Sequence, residues 1–348
     1  MALSTLGNTV FLAIALVFYI LFGGADFGAG ILELFSRGDQ RRAHRDLIAS
    51  AIAPVWEANH IWLILVVVIL FVGFPEIYLE LTSWLFIPLM CLLVGIILRG
   101  CAFTFRHYDT LTPRLEGLYA WTYSLSSLWS AFFLGILAGA PIAGTINPLA
   151  ASFQDAYVTP WCNPLCFSIG LFTVSICTML ASVYLVAEAN EGQMTAHFRK
   201  RARYAALLTL ATGALVFIAA RYYSSALFNN FTTSYTSILA FAIATVLLAP
   251  MWWSLELRPS PTVLRITSGV IVTLVLVGWY GAHFPIAIYY SATSNTPNLT
   301  FQAAASQLPT QNSLFSALII GVIIIFPALF ILLKIFKSAT FKTKSEAN

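Results

Sequence analysis

Nine apolar stretches, each about the length that a helix needs to cross a lipid bilayer, constrain this chain more than any other feature. They fall at roughly 9–35, 47–73, 80–104, 118–140, 165–189, 203–226, 236–256, 264–289 and 314–336. A hydrocarbon core of about 30 Å takes about 20 residues of α-helix. The ten-residue alternation of an outer-membrane barrel is not written in them. The expected fold is therefore an all-α polytopic membrane protein with nine transmembrane helices. Composition supports this: 59% of the 348 residues are hydrophobic and 9% are charged, against about 25% charged in a soluble domain. A soluble enzyme, a nucleic-acid binder and a disordered chain are excluded.

The basic residues orient the chain. With the N-terminus outside, 17 of the 18 Lys and Arg fall in inner segments, and Arg221 is the exception. The tally includes Arg37–Arg45, Arg99, Arg106 and Arg114, Arg199–Arg203, Arg258 and Arg265, and the Lys334–Lys344 tail. The positive-inside rule then predicts N-out and C-in. Met1–Asn8 holds no Lys or Arg, so the first stretch reads as a span rather than a signal peptide. A faint similarity between spans one and five suggests a single membrane domain built of two four-helix units, 1–145 and 146–290. Residues 291–348 then supply a ninth helix and a cytoplasmic tail.

Ionisable groups inside spans are costly, so each needs a reason. Span one carries GGADFGAGILELF, with Asp26 eleven residues before Arg37 and Glu33 seven residues beyond Asp26 on the same face. Gly23, Gly24, Gly28 and Gly30 give this helix small surfaces for close packing. Span two carries IAPVWEANHIWLI, in which Asp46, Ser50, Glu57 and His60 share one face and Pro54 interrupts the helix. Asp26 and Glu57 each stand about 16 Å from the inner loop, so they reach one depth on consecutive antiparallel helices. Glu33, Asp26, Asp46, Ser50, Glu57 and His60 thus form a candidate proton file entering from the cytoplasm. Desolvation favours the neutral form of such a carboxylic acid, which lets it take up and release a proton. The competing reading is a structural pair, with Asp26 or Glu57 neutralised by an arginine such as Arg99. Trp56 is either a quinone or lipid-tail contact or a core residue.

Haem ligation by this chain alone is disfavoured. His60 is in the inner half of its span and His283 near the outer end of another, while two axial ligands must share one depth. Cys162 and Cys166 (CNPLC) lie at the outer surface, where an oxidising compartment could pair them. No metal site is expected.

GGADFGAGILELF, a basic loop and then IAPVWEANHIWLILVVVILFVGFP together resemble subunit II of the bd-type quinol oxidases. The likeness is strongest over residues 20–75 and continues as a nine-span layout. It implies a haem-free subunit paired with subunit I, which carries two b haems and a d-type or further b haem. The complex would oxidise quinol, reduce oxygen to water with cytoplasmic protons, and lie in the bacterial inner membrane. Some members hold a quinone in subunit II, and small single-helix subunits often join. The family's first-helix aspartate falls on Asp26 and its second-helix acid on Glu57. The usual W-D-G-N is here Trp56-Glu57-Ala58-Asn59, and the W-E-A-N-H form resembles a divergent, cyanide-insensitive branch. The alternative function is a proton-coupled secondary transporter that uses the same embedded carboxylates.

Overall fold

A computed structural model describes residues 1–36, 47, 56–108, 115–189, 193–223, 225–256 and 260–346. The helices are α1 (Leu3–Phe18), α2 (Gly24–Leu34), α3 (Trp56–Gly73), α4 (Pro75–Trp84), α5 (Phe86–Tyr108) and α6 (Glu116–Gly139). They continue with α7 (Phe153–Tyr157), α8 (Pro164–Glu188), α9 (Gln193–Tyr223), α10 (Ser225–Thr233), α11 (Tyr235–Glu256), α12 (Pro261–His283) and α13 (Leu308–Glu346). Among the described residues eight helical segments are long and apolar enough to cross a membrane, α1 and α2 counting as one. His60–Gly73 of α3 and α4 pass that test only together, and a bend of 115° separates them. The expected second span, 47–73, lies partly outside the described residues; α3 is its described part.

Local chemistry sets the helix boundaries. Pro75, Pro164 and Pro261 each occupy the first turn of a helix, where the missing N–H costs nothing. Asn163 caps α8 by accepting the Cys166 N–H at 2.9 Å. The first span is not one regular helix, because Tyr19–Gly23 forms a π turn between α1 and α2. That turn is where the span changes neighbours. α1 packs on α3 and α13, whereas α2 lies between α6 and α8. Two glycines make the second contact close: a Cβ on Gly28 would overlap the carbonyl oxygen of Cys177 in α8, and one on Gly30 would overlap the hydroxyl of Ser127 in α6.

The end of the array that carries Arg106, Arg201 and Arg265 is here termed the basic end. At the opposite end a loop cap adds the ribbon β1 (Ile286–Ile288) and β2 (Leu299–Thr300), which hydropathy does not reveal. Tyr289 N–H reaches Pro141 O at 2.8 Å, and Ser306 N–H reaches Gly73 O at 2.9 Å. Beneath the cap, the buried Asn8 amide donates to Gln311 Oε1 at 2.7 Å, and Gln311 Nε2 donates to Gly73 O at 2.5 Å. One polar knot therefore ties α1, the end of α3 and the start of α13. Cys162 and Cys166 are both free thiols here.

Candidate functional site

The π turn and the packing of α2 aim Asp26 inward, where it is 3% exposed. Arg99 of α5, itself 1% exposed, forms an ion pair with Asp26 Oδ1 through Nη2. The same Nη2 lies 3.3 Å from both Asp26 O and the Tyr123 hydroxyl, and Nε donates to Ser127 Oγ at 3.0 Å. The guanidinium also lies over the rings of Phe27 and Tyr123, at 5.0 and 5.1 Å from their centroids. Cation–π contacts of this kind are strengthened when water is excluded. Asp26 Oδ2 and the Tyr19 hydroxyl are buried and make no hydrogen bond among the described residues.

Two turns further along α2, Glu33 is also buried, and Arg106 Nη1 reaches both its carboxylate oxygens at 2.9 Å. Arg106 keeps 17% of its side chain exposed, so this second pair marks the edge of the buried zone. Beyond it, Arg201 donates to Leu32 O and Phe35 O, each at 2.9 Å, and so closes the carbonyl end of α2. From the basic end inward, the sequence of groups is Arg201 on the terminal carbonyls, then Glu33–Arg106, then Asp26–Arg99.

His60 is half-buried on α3 and feels the charges of Arg99 and Asp26, so spans one and two do converge near this centre. Glu57 stands one helical turn before His60 on α3, as does Trp56 nearby; their side chains lie outside the described residues. Asp46 and Ser50 also fall outside the described residues. Asp26 and Glu33 each stand in an ion pair, two helical turns apart, rather than as bare carboxylates, and His60 lies within reach of the charges of the first pair.

Arg99 is the partner of Asp26 that the structural-pair reading named, but it is a core residue in the middle of α5 and so does not count among the inner-loop arginines that orient the chain. Arg106, Tyr123 and Ser127 are functional candidates that the carboxylate file omits. A signal was present: Arg99 interrupts the apolar run FIPLMCLLVGIILRGC, and a charge there needs a partner.

His283 packs on Trp279 and Tyr280 with Nδ1 at 2.8 Å from Trp279 O, in surroundings distinct from those of His60. Among the described residues no group of three His, Cys, Asp or Glu side chains is placed to hold a metal.

Comparison with known proteins agrees with this architecture. In Bacillus subtilis (strain 168), cytochrome bd ubiquinol oxidase subunit 2 is 28% identical over 196 residues, covering 51% of this chain and 55% of that protein. Cytochrome bd-I ubiquinol oxidase subunit 2 of Escherichia coli (strain K12) is 24% identical over 206 residues, covering 58% and 53%. The chain thus spans about half the length of the curated relatives it matches. The solved bd oxidase from Geobacillus thermodenitrificans has the same fold, with a TM-score of 0.78 at 22% identity over 97% of this chain and 99% of that one. The sequence profile described as cytochrome bd terminal oxidase subunit II matches residues 5–336, nearly the whole length, and the chain belongs to that family.

Proposed function

We propose that this chain is the haem-free subunit II of a membrane quinol:oxygen oxidoreductase in the bacterial inner membrane. It would support a haem-bearing subunit I, which supplies the redox chemistry, and contribute to the cytoplasmic proton path for reduction of oxygen to water. A small single-helix subunit and a bound quinone belong to the same reading. The N-out, nine-span topology with two four-helix units is kept as part of it.

The observation that carries the proposal is the Asp26–Arg99 pair with its open Oδ2. Arg99 occupies Oδ1, which leaves Oδ2 as the atom able to accept a proton or a water hydrogen. Glu33–Arg106 offers a second carboxylate between Asp26 and the basic end. Two turns of helix, about 10 Å, separate the two acids, a gap that needs intervening water or side-chain carriers. His60, with Glu57 one turn away on α3, feels the charges of the same centre. In this role Arg99 is a positioning residue: it holds the carboxylate and balances its charge while protons pass at the free oxygen. The Asp46, Ser50 and Trp56 assignments stand as proposed members of the entry path and of a quinone or lipid contact.

The test is purification through a tag on this chain, with a reduced-minus-oxidised spectrum and oxygen-consumption rates. Haem bands that accompany a second large membrane subunit, and are lost when the two are separated, are the expected result. Glu57→Gln and Asp26→Asn should each slow oxygen consumption at unchanged haem content. Normal turnover in both variants would overturn the proton-path role, and haem retained by this chain alone would overturn the haem-free role.

A further inference from the structure

Between α9 and α11, at the basic end, a groove of about 480 Å³ opens on the outer surface of the helix array. Leu207 and Leu210 of α9 and Leu248, Trp252 and Trp253 of α11 line it, and Glu256 stands at the end where α11 finishes. The lining is otherwise almost wholly apolar, and Trp253 is 66% exposed. Arg199, Arg203, Leu207 and Leu210 recur at spacings of four, four and three on α9, so one helix face runs from the groove into a basic patch.

The charges at that end are unevenly matched. Arg203 Nη1 bonds Glu256 Oε1 at 2.9 Å and neutralises the carboxylate that lines the groove. Arg199 and Lys200 make no ion pair among the described residues. The Nε atoms of Arg199 and Arg203 are buried and have no hydrogen-bond partner among the described residues. Arg201 is engaged elsewhere, on the carbonyls of α2.

We propose that this groove holds an acyl chain of an anionic phospholipid, with its phosphate bound by Arg199 and Lys200 beside the Arg203–Glu256 pair. Tryptophans beside cations mark the depth of the headgroup layer, so a lipid lying in the groove has its phosphate at the height of the arginines. Basic pockets between membrane helices take anionic headgroups, and guanidinium forks match phosphate oxygens in pairs. Charge complementarity favours an anionic lipid over a zwitterionic one, whose headgroup cation would meet like charge.

The test uses the protein purified from its membrane with its accompanying subunits and reconstituted into phosphatidylcholine vesicles. Fluorescence of Trp252 and Trp253 is isolated as the difference between the wild type and W252F/W253F. Quenching by dibrominated phosphatidylglycerol should exceed quenching by dibrominated phosphatidylcholine at least threefold at equal mole fraction. In R199Q/K200Q, which keeps the Arg203–Glu256 pair, the ratio should fall to near one. In E256Q, which releases Arg203, it should rise. Equal quenching by the two lipids in the wild type would overturn the proposal, as would a ratio unchanged in both variants. Loss of the preference on adding millimolar inorganic phosphate would also overturn it, by assigning the cations to a free anion.

Discussion

Asp26 and Arg99 are separated by 73 residues and meet in the core, and Glu33 and Arg106, separated by the same 73 residues, meet two helical turns nearer the basic end. The carboxylates repeat every seven residues on α2 and the arginines every seven on α5. Both helices run toward the basic end, so the two ion pairs form a ladder in register. α2 and α5 are not direct neighbours; each packs on α6, and the arginines reach across it past Ser127 and Tyr123.

The inner rung should behave as a buried ion pair. Arg99→Leu strands the Asp26 charge and should cost about 3–5 kcal/mol. Asp26→Asn combined with Arg99→Gln should recover at least half of that loss, because neither neutral side chain carries a stranded charge. Thermal unfolding of the purified complex measures both, and an additive double variant would show that the two groups are uncoupled.

The outer rung should matter less for stability. Arg106 is partly solvated and a glutamine amide at that position can still donate to the buried Glu33 carboxylate, so Arg106→Gln should cost about 1.5–3 kcal/mol, the scale of hydrogen bonds to a charged group. The expected order in melting temperature is wild type, then R106Q, then R99L. A reversed order would mean that burial does not grade the ladder.

Close packing of α2 makes a sharp steric prediction. Gly28→Ala and Gly30→Ala push a methyl group into Cys177 O and Ser127 Oγ, and overpacking of this kind costs about 1–3 kcal/mol. Gly117→Ala is the control, since its added Cβ meets nothing within 4 Å. Expression and melting temperature should fall for the first two and stay level for the third.

At the opposite end, Gln311→Leu removes the donor to Gly73 O and the acceptor for Asn8. Each partner keeps one bond, Gly73 O from the Ser306 N–H and Asn8 Nδ2 to the Gln311 backbone carbonyl, so the loss should be about 0.5–1.5 kcal/mol per bond removed. Hydrogen exchange in the first turns of α13 should rise clearly above wild type while α8 is unchanged. Uniform protection would show that the knot does not dock α13.

The apolar runs were enough to specify membrane helices, because in a bilayer every backbone polar group must be satisfied inside its own segment. Most span positions, the close-packing glycines and the embedded acids Asp26 and Glu33 were legible, because apolar length, charge and small side chains stand out in sequence; the break at Leu85 within 80–104 and the strand that ends 264–289 were not. The paired motifs in spans one and two pointed to the right family.

Packing settled what periodicity could not. Which cation meets Asp26 depends on how α2, α5 and α6 lie together, and a helix face read in isolation does not say what it faces. Arg99 could be named as one possible partner of Asp26, yet a single arginine near the end of an apolar run is ambiguous between snorkelling and burial, and only packing decides it. The π turn at Tyr19–Gly23 and the β ribbon of the cap were hidden too. The π turn lies where the first span changes neighbours, and the ribbon pairs strands whose partners are up to 14 residues apart across a loop without apolar periodicity. The chain therefore carries its architecture in its hydropathy and its site in its tertiary contacts, because burial energy is set residue by residue while charge pairing needs two helices at once.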